Sequence, residues 1–421
     1  MSKGTGVVHT KVMASPLSSD TAYVYSYRGF RNLALLILVV SNLRLVIENV
    51  TKYGLLVDVW SILVGIATQD FSSWPTASMA IGLSVFIAAA WVIELLASGS
   101  WLPSGVASLA HAVNVAASLA IPCLWIWYIP SNEVLALILV LSAITLFLKL
   151  WSYATVNARA RAQFLERGRK PVPVPSGQVA YPANVTPRNI IWFLAAPTLC
   201  YQINYPQTAG IRPGFLLRRT AEFFFFSGLI FMLAQQYMVP TVANTMAPLQ
   251  AHNYIKVAER LLKIAVPNFL IWILGFYTYF HVYLNIWAEV TAFGDRVFYK
   301  DWWNSTTLSR FWRAWNIPVH NWLVQNIYLP LRTLGASKQV GYVACFFFSA
   351  LLHELIIDVA FRSLGWLAFA GMMLQIPSCL FTDQFEGTTL GNVIMWLSLL
   401  LGQPLCILGY YAAIVSKTQA S

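Results

Sequence analysis

The chain has 421 residues, of which 58% are hydrophobic and only 10% are charged, and its mean hydropathy is +0.62. Soluble domains carry about 25% charged residues, so this composition excludes an ordinary soluble domain and indicates one membrane-embedded domain. The net charge of +11 lies in short basic segments between apolar runs. Such segments are typical of loops beside an anionic membrane surface, and we expect no nucleic-acid partner.

The N-terminal segment 1–31 is polar and lacks a short apolar core followed by a cleavage site. We therefore expect no cleaved signal peptide. The five cysteines are odd in number and stand singly in apolar surroundings, so we expect neither a disulfide framework nor a metal site, and no bound metal. They are Cys123, Cys200, Cys345, Cys379 and Cys406.

Apolar runs long enough to cross a membrane recur along the chain, since a transmembrane helix needs about 20 mostly apolar residues. The first run contains Arg44 and Glu48, which are four residues apart and could pair on one helical face. We predict an all-α polytopic membrane protein with about nine transmembrane helices in one domain, residues 32–416. The nine candidates are 32–50, 78–97, 106–129, 133–151, 221–239, 264–289, 340–360, 363–383 and 392–416.

Two basic segments orient this topology. Residues 152–188 are predicted to form a cytosolic loop, in which 170–177 are an extended, proline-rich linker, and residues 290–339 form a second cytosolic segment. With four spans before the first loop, the segment 1–31 is expected in the cytosol and the tail 417–421 in the lumen.

The segment 298–330 is unusually rich in tryptophan and tyrosine, which favour the membrane–water boundary. Asn304 or Ser305 could cap a helix that runs to about Trp315 and ends before Pro318. We predict an amphipathic helix lying in the cytosolic interface, and composition alone favours a simple anchor. Its apolar face would carry Phe311, Trp312 and Trp315.

The sequence FYKDWWN at 298–304 resembles, at every fixed position, a signature of the membrane-bound O-acyltransferase superfamily, in the branch of diacylglycerol and sterol acyltransferases. Further segments, such as AAPTLCYQINYP at 195–206 and LAFAGMMLQIP at 367–377, are similar to type 1 diacylglycerol acyltransferases, and the resemblance covers nearly the whole chain. The fixed positions of the signature are Phe298, Tyr299, Asp301, Trp302, Trp303 and Asn304.

This resemblance implies an enzyme of the endoplasmic reticulum membrane that makes triacylglycerol from acyl-CoA and diacylglycerol. Acyl-CoA is then a substrate, and no cofactor is expected. The resemblance also implies a homodimer or homotetramer, with the segment before Arg31 in the dimer contacts.

His353 stands in the apolar run FFFSALLHELIID, together with Glu354 and Asp358. An ionisable residue at this depth is a functional candidate, although a histidine bonded to a nearby carbonyl is the simpler alternative. By resemblance this helix carries the catalytic histidine of the superfamily. A neutral imidazole could accept the proton of a lipid hydroxyl as its oxygen attacks the thioester. Glu354 is expected to orient or tune His353, although adjacent helical residues point about 100° apart.

Other site residues come from the resemblance alone. Asn316 is expected to be catalytic, and Gln375, Gln403 and Met372 to bind substrate. Amide donors could hold the thioester carbonyl or its oxyanion, whereas helix–helix hydrogen bonding is the alternative. Lys338 is a candidate phosphate partner, or else an ordinary interfacial lysine. The residues expected to contact acyl-CoA are Trp302, Trp315, His320, Tyr328, Lys338 and Ser349.

Several alternatives stay open. A sterol or fatty-alcohol acyltransferase would use the same donor and base. A transporter would also have many spans, but we find no inverted repeat. An inactive lipid-binding relative is disfavoured because His353, Asn304 and Asn316 are present. A mechanism through a covalent acyl-enzyme would need a nucleophile with an adjacent base, and no serine or cysteine has an obvious one. Cys345 lies two helical turns before His353 and is too weakly supported as a nucleophile, so we predict direct transfer.

Overall fold

The structure is a computed structural model that describes residues 28–56, 75–129 and 132–420. The chain divides into two compact units, Met1–Asp58 and Val59–Ser421. The described part of the first unit is helix α1, Arg28–Tyr53. Most of the predicted N-terminal segment 1–31 lies outside the described residues. Whether residues 32–416 form a single domain stays a prediction.

The described part of the second unit is built from helices, with one isolated β-bridge between Gln207 and Phe293. Two long helical rods continue through π-helical turns, at Ala234–Met238 and Tyr277–Tyr283. A third such turn, Val324–Tyr328, separates α12 from α13. The helices are α2 Pro75–Ser98, α3 Ser104–Tyr128, α4 Glu133–Glu166, α5 Pro187–Ala195, α6 Pro213–Leu233, α7 Val239–Ala243, α8 Met246–Gln250, α9 Tyr254–Phe276, α10 Leu284–Val290, α11 Leu308–Trp315, α12 Ile317–Leu323, α13 Leu329–Thr333, α14 Lys338–Phe361, α15 Leu367–Asp383 and α16 Thr389–Ala420.

All nine predicted spans fall on helices, and the all-helical membrane class is confirmed. The predicted count of nine transmembrane helices is not confirmed. Within the described residues, seven helical rods are long and apolar enough to cross a membrane. Helix α1 is absent from that set, in keeping with the charged residues in its sequence. Helix α15 has 17 residues, about 25 Å, which is short of an apolar core of about 30 Å.

The predicted boundary of the first basic loop is wrong. Helix α4 does not end near residue 151 but continues to Glu166, and its 34 residues span about 51 Å, longer than an apolar core of about 30 Å. Two of the expected loop arginines, Arg159 and Arg161, are therefore helical. Residues 170–177 form no helix, as predicted for the linker. The predicted tail also begins inside a helix, because α16 runs to Ala420.

A fully buried carboxylate ties the N-terminal helices of the second unit together. Glu94 on α2 accepts hydrogen bonds from Arg161 Nη1 of α4 at 2.6 Å and from the Tyr181 hydroxyl at 2.7 Å. His111 Nε2 of α3 lies 3.1 Å from the same carboxylate. A buried pair that loses one partner leaves an uncompensated charge, which costs about 3–5 kcal/mol. This cluster therefore fixes how α2, α3, α4 and the segment after the linker pack.

The segment 290–339 is more ordered than a loop. Thr307, rather than Asn304 or Ser305, caps α11, because its Oγ1 accepts from the Arg310 amide at 3.1 Å. The helix ends at Trp315 as predicted. Its apolar face packs inside the protein, where Phe311 is only 1% exposed. The apolar face of α11 is therefore covered by protein, and the position of this helix at the cytosolic interface stays a prediction.

Trp302 lies at the centre of an aromatic cluster. Its ring centroid is 5.0–5.8 Å from six neighbouring rings. Such edge-to-face pairs contribute about 0.5–1.5 kcal/mol each beyond burial of area. The FYKDWWN segment is thus fixed between α9, α11 and α16. The six rings are Trp272, Phe276, Trp303, Phe311, Trp315 and Trp396.

Gly294, four residues before this motif, lies against a distant part of the backbone. Its amide donates to the Pro206 carbonyl at 2.9 Å, and a Cβ at this position would lie 2.9 Å from the same oxygen. Real Cβ atoms hardly ever approach an oxygen so closely, so any larger residue must shift the chain. This close approach fixes where the motif begins.

Gly294→Ala should therefore lower the apparent melting temperature of the detergent-solubilised protein by several degrees, because forced backbone shifts cost about 1–3 kcal/mol. Gly210→Ala is the matched control, since a Cβ there meets no atom within 4 Å. Equal melting temperatures for the two variants would contradict the importance of this contact.

Candidate active site

His353 lies on α14, a helix capped by Ser337, whose Oγ accepts from the Val340 amide. His353 Nδ1 is 2.7 Å from the carbonyl oxygen of Ser349, one turn earlier. A carbonyl only accepts, so Nδ1 must carry the proton, and a neutral ring then has its lone pair on Nε2. Among the described residues, Nε2 has no hydrogen-bond partner. The ring is therefore set up to accept a proton at Nε2.

Glu354 does not make the contact with His353 that we expected. Its carboxylate accepts from the Phe369 amide at 2.7 Å and from the Tyr410 hydroxyl at 2.8 Å, and no hydrogen bond joins it to His353 in the described chain. The reason is the angle of about 100° between neighbours on a helix, which turns Glu354 towards α15 and α16. Asp358 likewise accepts from the Gly365 amide at 3.1 Å.

Asn316 and Gln375 have their amide oxygens engaged by groups that can only donate. Asn316 Oδ1 caps α12 by accepting from the Val319 amide at 3.2 Å. Gln375 Oε1 accepts from the Trp312 indole at 3.3 Å. These contacts fix which end of each amide is oxygen, and both residues direct an NH₂ group away from it. The Gln375 NH₂ makes only a long contact, 3.4 Å, to the Gly371 carbonyl.

Gln403 on α16 pairs with an amide that the sequence did not single out. Its Oε1 accepts from Asn268 Nδ2 of α9 at 3.2 Å. Helix–helix hydrogen bonding, the alternative considered for Gln403, is thus formed. Its own NH₂ group has no partner within the described ranges.

The structure brings the candidate helices side by side but does not connect their polar side chains. Phe346 of α14, Cys379 of α15 and Met395 of α16 share the aromatic cluster around Trp302, and Met372 packs at its edge. No hydrogen bond among the described residues joins His353 to Asn316, Gln375 or Gln403. A substrate between these groups could contact several of them.

The two tryptophans expected at acyl-CoA are largely packing residues. Trp302 is 3% exposed, which leaves almost no surface for a substrate. Trp315 stacks on Trp272 with ring centroids 4.8 Å apart. The assignment of Trp302 to acyl-CoA contact is therefore not supported by its position, because the aromatic cluster encloses its ring.

The remaining expected donor contacts lie along α14 and the turns before it. Lys338 is exposed at the first position of α14. The Tyr328 ring lies so close to Gly341 that a Cβ there would be 2.7 Å from it. His320 on α12 is half-buried, and burial together with Arg313 lowers its pKa. This shift favours the neutral ring, so it weakens the case for His320 as a cationic partner of the phosphates.

Sequence reasoning missed three residues that hold the candidate groups in place: Asn268, Trp312 and Tyr410. Asn268 is an amide within an apolar run, so the rule that flagged His353 could have found it. Trp312 was assigned only to an apolar face, and its indole N–H was overlooked. Tyr410 lies between Gly409 and Tyr411 in an apolar helix, where a tyrosine does not stand out from the sequence.

Comparison with known proteins identifies the family of this chain. A family model described as MBOAT, membrane-bound O-acyltransferase family, matches residues 180–412, more than half of the chain. Diacylglycerol O-acyltransferase 1 of Dictyostelium discoideum is 42% identical over 389 residues, which cover 92% of this chain and 62% of that protein.

Two further relatives match over more of their length. Human diacylglycerol O-acyltransferase 1 is 42% identical over 405 residues, 95% of this chain and 83% of that protein. Diacylglycerol O-acyltransferase 1B of Glycine max is 39% identical over 418 residues, 97% of this chain and 81% of that protein. The chain belongs to the membrane-bound O-acyltransferase family.

Proposed function

We propose that this protein transfers a fatty acyl group from acyl-CoA to the free hydroxyl of diacylglycerol and so makes triacylglycerol. The similarity to enzymes named diacylglycerol O-acyltransferase 1, across more than nine-tenths of the chain, supports the acceptor. The observation that carries the chemistry is the His353 ring, whose Nδ1 is held on the Ser349 carbonyl at 2.7 Å and whose Nε2 is free.

In the proposed reaction the diacylglycerol hydroxyl gives its proton to His353 Nε2 as its oxygen attacks the thioester carbon. A new C–O bond forms, and the carbonyl oxygen becomes an oxyanion. When this intermediate collapses, the C–S bond breaks. The CoA sulfur takes the proton from Nε2, which leaves triacylglycerol, CoA thiol and a neutral histidine. No acyl-enzyme forms.

The side-chain amides fit the second need of this reaction, which is stabilisation of the oxyanion. Asn316 and Gln375 each present N–H donors because their oxygens are already engaged. Donors held in advance by the protein stabilise a developing negative charge without reorganising, and removing one typically costs about 10²–10³ in rate. Gln403, with its oxygen on Asn268, is a third candidate.

The donor would lie along α14. Lys338 is 15 residues before His353 in the same helix, about 22 Å along its axis. CoA has its phosphates at one end and its thiol at the other, so an extended molecule with phosphates near Lys338 would bring its thioester towards His353. A lysine contributes to such a site as a point charge.

The proposal includes the endoplasmic reticulum membrane, a cytosolic N-terminus, a lumenal C-terminus and a homodimer or homotetramer. The basic segments support the orientation, provided that α1 crosses the membrane. Steryl or wax-ester synthesis is the rival activity, and the His353 geometry serves both.

His353→Ala should lower acyl transfer at least about a hundredfold, because it removes the general base. The test is labelled oleoyl-CoA with diacylglycerol, cholesterol or a long-chain alcohol, in membranes that lack other neutral-lipid synthesis. His252→Asn is the control, since His252 is exposed and its positive φ of 51° tolerates asparagine.

Labelled triacylglycerol that disappears only in His353→Ala supports both the acceptor and the base. If labelled steryl ester or wax ester forms instead, the acceptor is a sterol or a fatty alcohol and not diacylglycerol. Protein that becomes labelled after incubation with oleoyl-CoA alone would refute direct transfer. If folded wild-type protein transfers no acyl group to any acceptor, the transporter alternative is favoured.

Lys338→Ala should raise KM for oleoyl-CoA severalfold with little change in kcat, because it removes a phosphate partner far from the reacting carbonyl. The wild-type KM should also rise with ionic strength more steeply than that of the variant. Lys256→Ala, at another exposed lysine, is the control. An unchanged KM would show that Lys338 is only an interfacial lysine.

A further inference from the structure

Helix α15 begins without a cap of its own. Trp366 precedes it with a left-handed backbone, φ 58°, and its side chain makes no capping hydrogen bond. The first four amides of a helix have no partner within that helix, and leaving such a group buried and unpaired is costly. The partners must come from elsewhere.

Two other helices supply them. The Ala368 amide donates to the Tyr410 hydroxyl of α16 at 2.8 Å, and the Phe369 amide donates to Glu354 of α14 at 2.7 Å. The Tyr410 hydroxyl in turn donates to Glu354 at 2.8 Å. We propose that Glu354 and Tyr410 are positioning residues that cap α15 from outside and fix it against α14 and α16. A carboxylate at this end also interacts favourably with the helix dipole.

Two glycines make the same junction close-packed. A Cβ at Gly365 would lie 2.6 Å from Tyr410 Cε1, and one at Gly409 would lie 2.7 Å from Leu367 Cδ1. A larger residue at Gly365 would have to displace the Tyr410 ring, whereas one at Gly409 would meet only the end of the flexible Leu367 side chain. The Tyr410 ring is thus held by packing, and its hydroxyl is held by hydrogen bonds.

This junction lies close in sequence to three of the candidate site residues, His353, Gln375 and Gln403. Glu354 follows His353 directly. Gln375 is eight residues after the start of α15, about 12 Å along its axis, and Gln403 is two turns before Tyr410 on α16. The inference rests on the proposed function, because only there does the placement of these groups set a rate. A misplacement of about 1 Å can cost about 10²-fold.

The first test is Tyr410→Phe in the full-length protein reconstituted in lipid nanodiscs. Removing the hydroxyl should lower kcat for transfer to diacylglycerol about tenfold, while KM for oleoyl-CoA stays within about twofold, because α14 keeps its donor contacts. Tyr411→Phe is the matched control, since the Tyr411 hydroxyl makes no hydrogen bond among the described residues. Gly365→Ala should reproduce the defect by displacing the Tyr410 ring.

Glu354 distinguishes capping from a charge effect on His353. A glutamine can accept from the Phe369 amide with its oxygen and donate to the Tyr410 hydroxyl with its nitrogen, so it keeps both contacts, with the bond to Tyr410 reversed, and loses the charge. Glu354→Gln should therefore lose severalfold less activity than Glu354→Ala. If Glu354→Gln is instead as inactive as His353→Ala, the carboxylate acts through its charge and the capping role is refuted.

Hydrogen–deuterium exchange at residues 366–371 tests the cap without any assay of activity. Exchange should accelerate in Tyr410→Phe and Glu354→Ala, and it should match wild type in Tyr411→Phe and nearly so in Glu354→Gln. If exchange is faster in Tyr410→Phe and Glu354→Ala but the wild type transfers no acyl group to diacylglycerol, the capping role is supported and the proposed function is rejected. Unchanged exchange together with unchanged kcat in Tyr410→Phe would overturn the inference.

Discussion

A charge buried among apolar helices needs a partner, and this constraint decides much of the architecture. Glu94 is enclosed by Arg161, Tyr181 and His111, which come from three other parts of the chain. Glu354 is 4% exposed and accepts from two other helices. Between apolar helices, packing alone gives little directional preference, whereas a buried carboxylate specifies its partners. The two clusters therefore determine which helices are neighbours and in what register.

The FYKDWWN segment is held by a different kind of contact. Its first tryptophan is enclosed by rings from α9, α11 and α16, while Trp303 is 43% exposed. The Tyr299 hydroxyl lies 2.8 Å from His281 Nδ1 on the π-helical turn between α9 and α10. The adjacent tryptophans thus have separate roles, one in the core and one at the surface. By resemblance Trp302 was expected to contact acyl-CoA. In the structure its ring is a packing centre, and one of the rings around it belongs to Trp315, the residue before Asn316 and α12.

The sequence was sufficient for whatever depends on local composition and pattern. Apolar runs predicted the helices, the signature predicted the family, and His353 stood out as an ionisable group in an apolar run. Contacts between distant segments could not be predicted in the same way. Nothing local distinguishes Arg161, buried against Glu94, from the exposed arginines near it, and no pattern showed that Glu354 would face α15 rather than His353. One sequence gives no distances between helices, and those distances select the partners.

The two findings about His353 and Glu354 fit together chemically. A base that is oriented by its own helix needs no neighbouring carboxylate, because the Ser349 carbonyl already selects the tautomer with a free Nε2. The base holds the hydroxyl proton only briefly, since a thiolate leaves readily and the proton is returned to sulfur in the same cycle. A strong anion beside the ring would stabilise the imidazolium and hinder this return. Glu354 can therefore stabilise the packing of α14 against α15 and α16. Because it follows His353 directly, the rotation of α14 about its axis is linked to the position of α15.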